Sequence, residues 1–336
     1  MSRPTLDGWM SRKLGAPFTR ASLEAYQLRA LNETLAWART HAAYYRDRLP
    51  QGGLRALSEL ASLPFTTPEA LYAAPYDFLC VSPREVERIV TVETSGSAGE
   101  KKRLFFTRDD LELCVDFFDF GMRLMVDGSD KVGILFPAST PASVGDQLAR
   151  GLARAGVPSL PLFPLIGELP RLAETIRREG VTFLAGFPTL LTALAQSAPE
   201  LPIRGVLLSA DYVSPACRET LRKAWGAELF EHYGMTETGL GGAVSCEAHR
   251  GYHPREADLL FEIVDPATGR PLPPGEWGEL VFTTLTREAL PLIRYRTGDF
   301  SRFLPGPCPC GTALLTLDWA GDRGVRKRIP GGEDKR

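Results

Sequence analysis

The chain has 336 residues, 44% of them apolar, and a formal net charge of −2. That length allows two domains or one large domain with a satellite, and the balanced charge excludes a global field that would draw it to nucleic acid or an anionic membrane. No run approaches the ~18 apolar residues of a bilayer span, and MSRPTLDGWMSRKLG at the start has no apolar core of signal-peptide length, so a cytoplasmic location is expected.

Residues from about 20 to 50 carry apolar side chains at helical spacing. Pro64 and Pro68 then break the chain, and Thr67 is placed to cap the short helix that follows. RIVTVET (88–94) alternates β-branched residues and reads as a strand, as does RLFFT (103–107). Thr107 with Asp110 predicts a capping box for the next amphipathic helix. From Lys131 strand-like and helix-like segments alternate: KVGILF, a helix around 147–155, SLPLF, ELPRLAETIRREG, VTFLAG, PTLLTALAQSA, IRGVLLSA, PACRETLRKAWG and AELFEHYG. Such alternation predicts a parallel sheet with crossover helices. Ligands bind at the carboxyl ends of such strands, which singles out LSAD (208–211) and HYGMTETG (232–239). After about Asp258 the character changes to a long antiparallel hairpin, LLFEIVD and ELVFTTL, followed by RYRTGD and PGPCPCG. GDRGVRKRIPGGEDKR reads as a linker or tail.

Four stretches carry chemistry. VETSGSAGEKKR (92–103) offers glycine backbone, hydroxyls and cations, the ingredients of a phosphate cradle; a solvated turn is the alternative. It is neither a Walker loop nor a GxGxxG fingerprint. In YGMTE, Tyr233 offers a flat face for a base, Thr236 a hydroxyl and Glu237 a carboxylate for Mg²⁺. In RYRTGD, Asp299 can accept from a ribose diol. Each of these two also reads as an ordinary polar turn. Of six cysteines, Cys80, Cys114 and Cys217 sit singly among apolar or helical neighbours. Cys246, Cys308 and Cys310 with either His249 or His253 make a closed tetrahedral zinc set, whose role would be structural; three reduced thiols and unrelated histidines are the alternative.

TSGSAGEKK, YGMTE and RYRTGD, in this order and at these separations, resemble the adenylate-forming superfamily of acyl-CoA synthetases. GFPTLL, SCEAHRGYH and PGPCPCG are similar to its phenylacetate–CoA ligase branch, and the resemblance covers most of residues 65–315. It implies an α/β fold: the large N-terminal domain of an adenylate-forming enzyme, a mainly parallel sheet with crossover helices plus a β-rich subdomain. The expected units are a helical segment (1–87), an α/β core (88–257), a β-rich subdomain with the CPC loop (258–320) and a hinge stub or tail (321–336).

The resemblance implies a reaction in which a carboxylic acid, aromatic by the name of the branch, attacks the α-phosphate of Mg-ATP to give acyl-AMP, which CoA or another thiol carrier then captures. Carried over by motif, Thr94, Ser95, Gly96, Ser97, Gly99 and Lys101 would hold the β- and γ-phosphates. Ser209, Ala210 and Asp211 would line the adenine and Tyr233 would stack on it. Thr236 would touch the α-phosphate, Glu237 would bind Mg²⁺ and Asp299 would hold the ribose. The acyl pocket would lie near Phe136, Pro137, Gly186, Phe187 and 239–242. A Gly-x-His in the branch favours His253, beside Cys246, Cys308 and Cys310, as the zinc ligand. The sequence departs from the family at Ser97-Ala98, at Asp211 in place of glutamate, and in a hinge region, AGDRGVRKR, that matches poorly. Family members continue as a mobile C-terminal domain of about a hundred residues, one domain's worth of chain, and no lysine here takes the place of the one it carries. An adenylyltransferase without a CoA step and a catalytically impaired nucleotide-binding remnant are the alternative functions. A homodimer or a separate chain supplying the second domain are the partner arrangements left open.

Overall fold

The computed structural model describes residues 4–93, 101–163 and 167–319. Two N-terminal helices lead the chain, the short α1 (Asp7–Leu14) and the long α2 (Arg20–His41). Thr19 starts α2 by a capping box with Ser22. Thr67 accepts from the backbone of Ala70 and starts α3 (Pro68–Ala73), as its position predicts. A two-stranded antiparallel hairpin follows, β1 (Arg88–Glu93) with β2 (Lys101–Phe106). Thr107 and Asp110 form the expected capping box at the start of α4 (Arg108–Met122).

The central sheet has seven strands. In chain order they are β3 (Val132–Leu135), β4 (Ser159–Pro161), β5 (Phe183–Gly186), β6 (Gly205–Leu208), β7 (Glu228–Tyr233), β8 (Ala243–Ser245) and β9 (Tyr252–Pro254). Their spatial order is β4-β3-β5-β6-β7-β8-β9; pairs up to β7 are parallel, and β8 and β9 add an antiparallel edge. The crossovers are α5 (Val144–Ala155), α6 (Leu169–Arg178), α7 (Pro188–Ser197) and α8 (Pro215–Trp225). Every residue of β3, β5 and β6 is buried, which is why these strands read as continuous apolar runs.

The pleat sorts alternate residues of these strands into two cores. Ile134, Phe183, Ala185, Leu207 and Phe230 pack with α1, α4 and α5. Leu135, Leu184, Val206, Leu208 and Leu229 pack with α6, α7 and α8. A third core belongs to the antiparallel sheet of β10 (Leu259–Val264), β11 (Gly278–Thr284) and β12 (Tyr295–Ser301). It draws on residues from three of the segments expected from sequence. Leu31, Leu35, Tyr45 and Phe78 from the first segment, and Leu104 and Phe106 from β2, join Phe282, Leu290 and Tyr295 in one cluster. Backbone bonds between Thr66 and the start of β12 (3.1 and 3.0 Å) tie the same parts together. The physical reason is that a three-stranded sheet has an apolar face to cover, and α2 and the hairpin cover it. Among the described residues no helix is long and apolar enough to cross a membrane.

Candidate active site

β6 and β7 end side by side, and the chain beyond them divides two cavities. The first, about 410 Å³, is largely apolar, with Phe118, Phe136, Leu148 and Leu207 on its walls and Ser209, His232, Thr236, Glu237 and Lys102 among its polar lining. The second, about 250 Å³, is bounded by Asp211, Arg218, Glu231, Tyr233, Tyr252, Asp299 and Trp319. Ala210, His232 and Gly234 line both.

The pleat decides which residue faces which cavity. Ser209 follows the parity of Leu207, and His232 that of Phe230, so both face the apolar cavity. Glu231 and Tyr233 have the opposite parity and face the second. Ala210 then adopts a left-handed backbone (φ 71°), which ends the alternation and lets Asp211 line the second cavity. Ser209, expected with Ala210 and Asp211 at the adenine, is thus turned elsewhere: its Oγ lies 2.8 Å from His232 Nδ1.

In the second cavity the Tyr233 hydroxyl donates to Asp299 Oδ2 at 2.9 Å. This joins the end of β7 to β12, two elements from different sheets. Burial, with the Asp299 carboxylate second, holds the phenol well above its ordinary value. Arg218 forks onto Glu231 with bonds of 2.7 and 2.9 Å, fixing the cavity floor.

Beyond β7, Thr236–Thr238 forms one 3₁₀ turn closed by Gly239 at φ 77°. A Cβ at Gly239 would lie 2.5 Å from Arg287 Nη2, so a side chain on this left-handed backbone would also have to displace the guanidinium. Arg287 donates to the Glu237 carbonyl (2.7 Å) and Arg255 to the Thr238 carbonyl (3.2 Å). Two buried guanidiniums thereby hold the turn from beneath. The Glu237 carboxylate is itself engaged: Lys102 Nζ forms a buried ion pair with Oε1, and the Tyr295 hydroxyl donates to the same atom at 2.9 Å. Burial pulls the Lys102 ammonium down to about 8; the adjoining carboxylate acts the other way.

In the sequence Lys102 stands among three adjoining cations of the expected phosphate cradle, Lys101, Lys102 and Arg103, and only Lys101 was singled out. Alternation along β2 was the signal that distinguishes it: Lys102, Leu104 and Phe106 share a buried face, and Arg103 is exposed. Of the expected phosphate-binding residues, Thr94, Ser95, Gly96, Ser97 and Gly99 lie outside the described residues, and Lys101 opens β2. Of the expected acyl-pocket residues, Phe136 and Leu240 line the apolar cavity. Pro137, Gly239 and Leu240 line a neighbouring one of about 200 Å³. Phe187 meets Phe136 edge-on, with centroids 5.0 Å apart, and a Cβ at Gly186 would strike Leu135 at 2.9 Å.

A separate cluster brings together the side chains of Cys246, His253, Cys308 and Cys310, whose donor atoms lie within 4.8 Å of one another. Cys246 follows β8, His253 is in β9, and Cys308 and Cys310 come from the loop after β12. That loop returns along β9, where Tyr252 and Leu317 exchange two 2.8 Å backbone bonds. Cys246 and Cys308 sulfurs are 3.6 Å apart, and Cys310 Sγ is 3.4 Å from His253 Nε2. His253 Nδ1 lies 3.1 Å from the Leu315 carbonyl, and donation there leaves the Nε2 lone pair facing the sulfurs. A hydrogen bond with Cys246, and then His253, favour the Cys310 thiolate. His249 is elsewhere, against Glu228 at 3.1 Å.

The family model for AMP-binding enzymes matches residues 91–285. The phenylacetate-coenzyme A ligase of Escherichia coli (strain K12) is 31% identical over 301 residues, covering 84% of this chain and 68% of that protein. That of Pseudomonas putida is 30% identical over 320 residues, covering 88% and 70%. Among solved structures, a 2-hydroxyisobutyryl-CoA ligase in complex with 2-HIB-AMP and CoA has the same fold, with a TM-score of 0.80 at 21% identity, covering 91% of this chain and 69% of that one.

Proposed function

Since this chain belongs to the AMP-binding enzyme family and is related to the phenylacetate-coenzyme A ligases, we propose that it activates a carboxylic acid with ATP as acyl-AMP and passes the acyl group to CoA. The observation that carries this reading is the pair of cavities meeting at the ends of β6 and β7. One is apolar and sized for a small acid. The other carries a carboxylate, Asp299, aligned by a tyrosine. They share Ala210, His232 and Gly234 as lining.

In this reading Asp299 accepts from the ribose hydroxyls, Tyr233 stacks on the adenine, and Ala210 and Asp211 border it. Thr236 meets the α-phosphate on the turn that Arg287 and Arg255 support. The phosphate tail runs toward the segment that includes Thr94, Ser95, Gly96, Ser97 and Gly99 and leads into Lys101. The contact of Lys102 with Glu237 supports that route, since it brings the start of β2 to the turn. Holding two anions, a carboxylate and a triphosphate, in contact is the physical task, and positioned charge does most of it. Magnesium would be held by Glu237 and phosphate oxygens, offsetting their charge. For that, Glu237 would have to release Lys102, whose ammonium would then be free to face the phosphates.

The cysteine–histidine cluster is assigned to structural zinc. Three sulfurs and one imidazole nitrogen, with the second imidazole nitrogen on a carbonyl, fit a closed tetrahedral site. Cys246, His253, Cys308 and Cys310 would pin the β8–β9 turn to the loop after β12, steadying both walls of the second cavity.

The test is ATP–pyrophosphate exchange screened over carboxylic acids, followed by CoA-dependent release of AMP. Acid-dependent exchange is expected with the intact protein and should disappear in Glu237→Ala. Retained exchange in that variant would remove Glu237 from the magnesium role. Exchange in no member of a broad acid panel, with tight ATP binding, would overturn the activation reading.

A further inference from the structure

A cavity of about 200 Å³ lies beside the larger apolar one. Two residues, Val144 and Leu240, line both. Each is half-buried and so keeps accessible surface, and both pack against the apolar core that holds Phe118, Phe136 and Leu148. Val144 and Leu240 form the partition between the two spaces.

Leu240 is strained where it stands. Its backbone is left-handed, at φ 72°, a region that a bulky side chain seldom enters. Positions 239, 241 and 242 beside it are all glycine. Hydrogen bonds fix the backbone on either side: Leu240 N–H donates to the Met235 carbonyl and Gly242 N–H to the Tyr233 carbonyl, both at 3.0 Å. Glycine at 240 would meet the same bonds without strain. A leucine in a run of glycines, held in a conformation that glycine prefers, points to a task for its side chain.

The space behind the partition suits hydrocarbon. Val90, Phe106, Leu111 and Ala142 contribute apolar wall. The two charged residues there are already engaged. Asp110 accepts from the backbone N–H groups of Thr107, Glu288 and Ala289 at 3.0, 2.8 and 3.0 Å. Arg88 donates to the Pro141 carbonyl at 2.9 Å.

Resting on the activation reading above, we infer that Leu240 is a specificity residue that sets the length of the acid. It ends the acyl pocket at the larger cavity and closes off about 200 Å³ of apolar room beyond. The unaltered chain takes a compact acid, and loss of the leucine side chain admits one longer by several carbons. Each methylene that gains burial is worth about fourfold in affinity.

The probes are hexanoyl- and decanoyl-sulfamoyl adenosine, non-hydrolysable acyl-AMP mimics whose flexible tails follow whatever room there is. Calorimetry with the full chain measures both. The unaltered protein should bind the hexanoyl probe roughly tenfold or more tighter than the decanoyl one. Leu240→Gly should raise the decanoyl affinity roughly tenfold or more and change the hexanoyl affinity by less than about threefold. Adding Val90→Phe, which fills the second cavity from β1, should remove the gain. A merely structural role for Leu240 would weaken both probes together and would not respond to position 90. If Leu240→Gly does not fold, Leu240→Ala serves, with the same expected change. Equal binding of both probes by the unaltered protein, no decanoyl gain in the variant, or a gain that survives Val90→Phe overturns the inference and leaves the activation reading standing. Binding of neither probe overturns both.

Discussion

Tyr233 and Asp299 come from different sheets and meet through one 2.9 Å hydrogen bond at the wall of the second cavity. The bond consumes the phenol proton and orients the carboxylate, so the parallel sheet and the β10–β12 sheet share one recognition feature.

Replacing Asp299 with alanine should weaken ATP and AMP binding by on the order of 1.5–3 kcal/mol, because a ribose diol loses its charged acceptor. Tyr233→Phe keeps a ring to stack on and removes only the orienting bond, so its loss should be smaller. Calorimetric titration with AMP measures both. Unchanged affinity in Asp299→Ala would end the ribose assignment.

The Lys102–Glu237 pair is buried on both sides. Lys102→Met leaves the Glu237 carboxylate with the Tyr295 hydroxyl and no cation, and should cost about 3–5 kcal/mol in urea unfolding. Adding Glu237→Gln should restore much of that loss. A double variant no more stable than the single one would mean the lysine acts through packing.

His232 gives a pH signature. Its folded value, about 4, is below the ordinary 6.5. As pH falls through 6.5 the unfolded chain takes the proton first, so the stability held at neutral pH is lost between about 6.5 and 4. At about 1.4 kcal/mol per pH unit the loss is on the order of 3 kcal/mol. The acid limb of a stability-against-pH curve should be shallower for His232→Asn by that amount. Parallel curves would show that the imidazole titrates normally.

Protein purified without chelator should contain about one zinc per chain, and a content under about 0.2 would exclude a closed site. Cys310→Ala and His253→Ala should lose the metal and lower Tm. His249→Ala should keep it, since that ring lies against Glu228.

Much of this was legible in the sequence where local rules decide. The capping box of Thr107 and Asp110, the alternation of strands and helices after Lys131, and the β10–β11 hairpin all follow from side-chain chemistry within a few residues. The Cys246, Cys308 and Cys310 grouping was legible from short spacings, and the fold resolves His253 from His249 by placing it in β9. What was hidden depends on contacts across the chain. The pairing of Lys102 with Glu237 spans 135 positions. That Ser209 turns to His232, and away from Asp211, depends on where β6 ends and on the left-handed Ala210. No composition rule marks an alanine for that backbone.

The shared core of the first segment and β10–β12 has a consequence during synthesis. The core that β3, β5, β6 and β7 share with α6, α7 and α8 draws only on residues 135–229 and can close as soon as that stretch leaves the ribosome. The apolar faces of α2 and the β1–β2 hairpin have no such option. Leu31, Leu35, Phe78 and Leu104 await Phe282, Leu290 and Tyr295, which are made some 180–260 residues later. Contacts so distant in sequence form slowly and leave sticky surface uncovered in the interval. Much of α2 and the β1–β2 hairpin, though made early, is therefore among the last to be finished, and a nascent chain stalled before β10 should be a target for chaperones at those two elements.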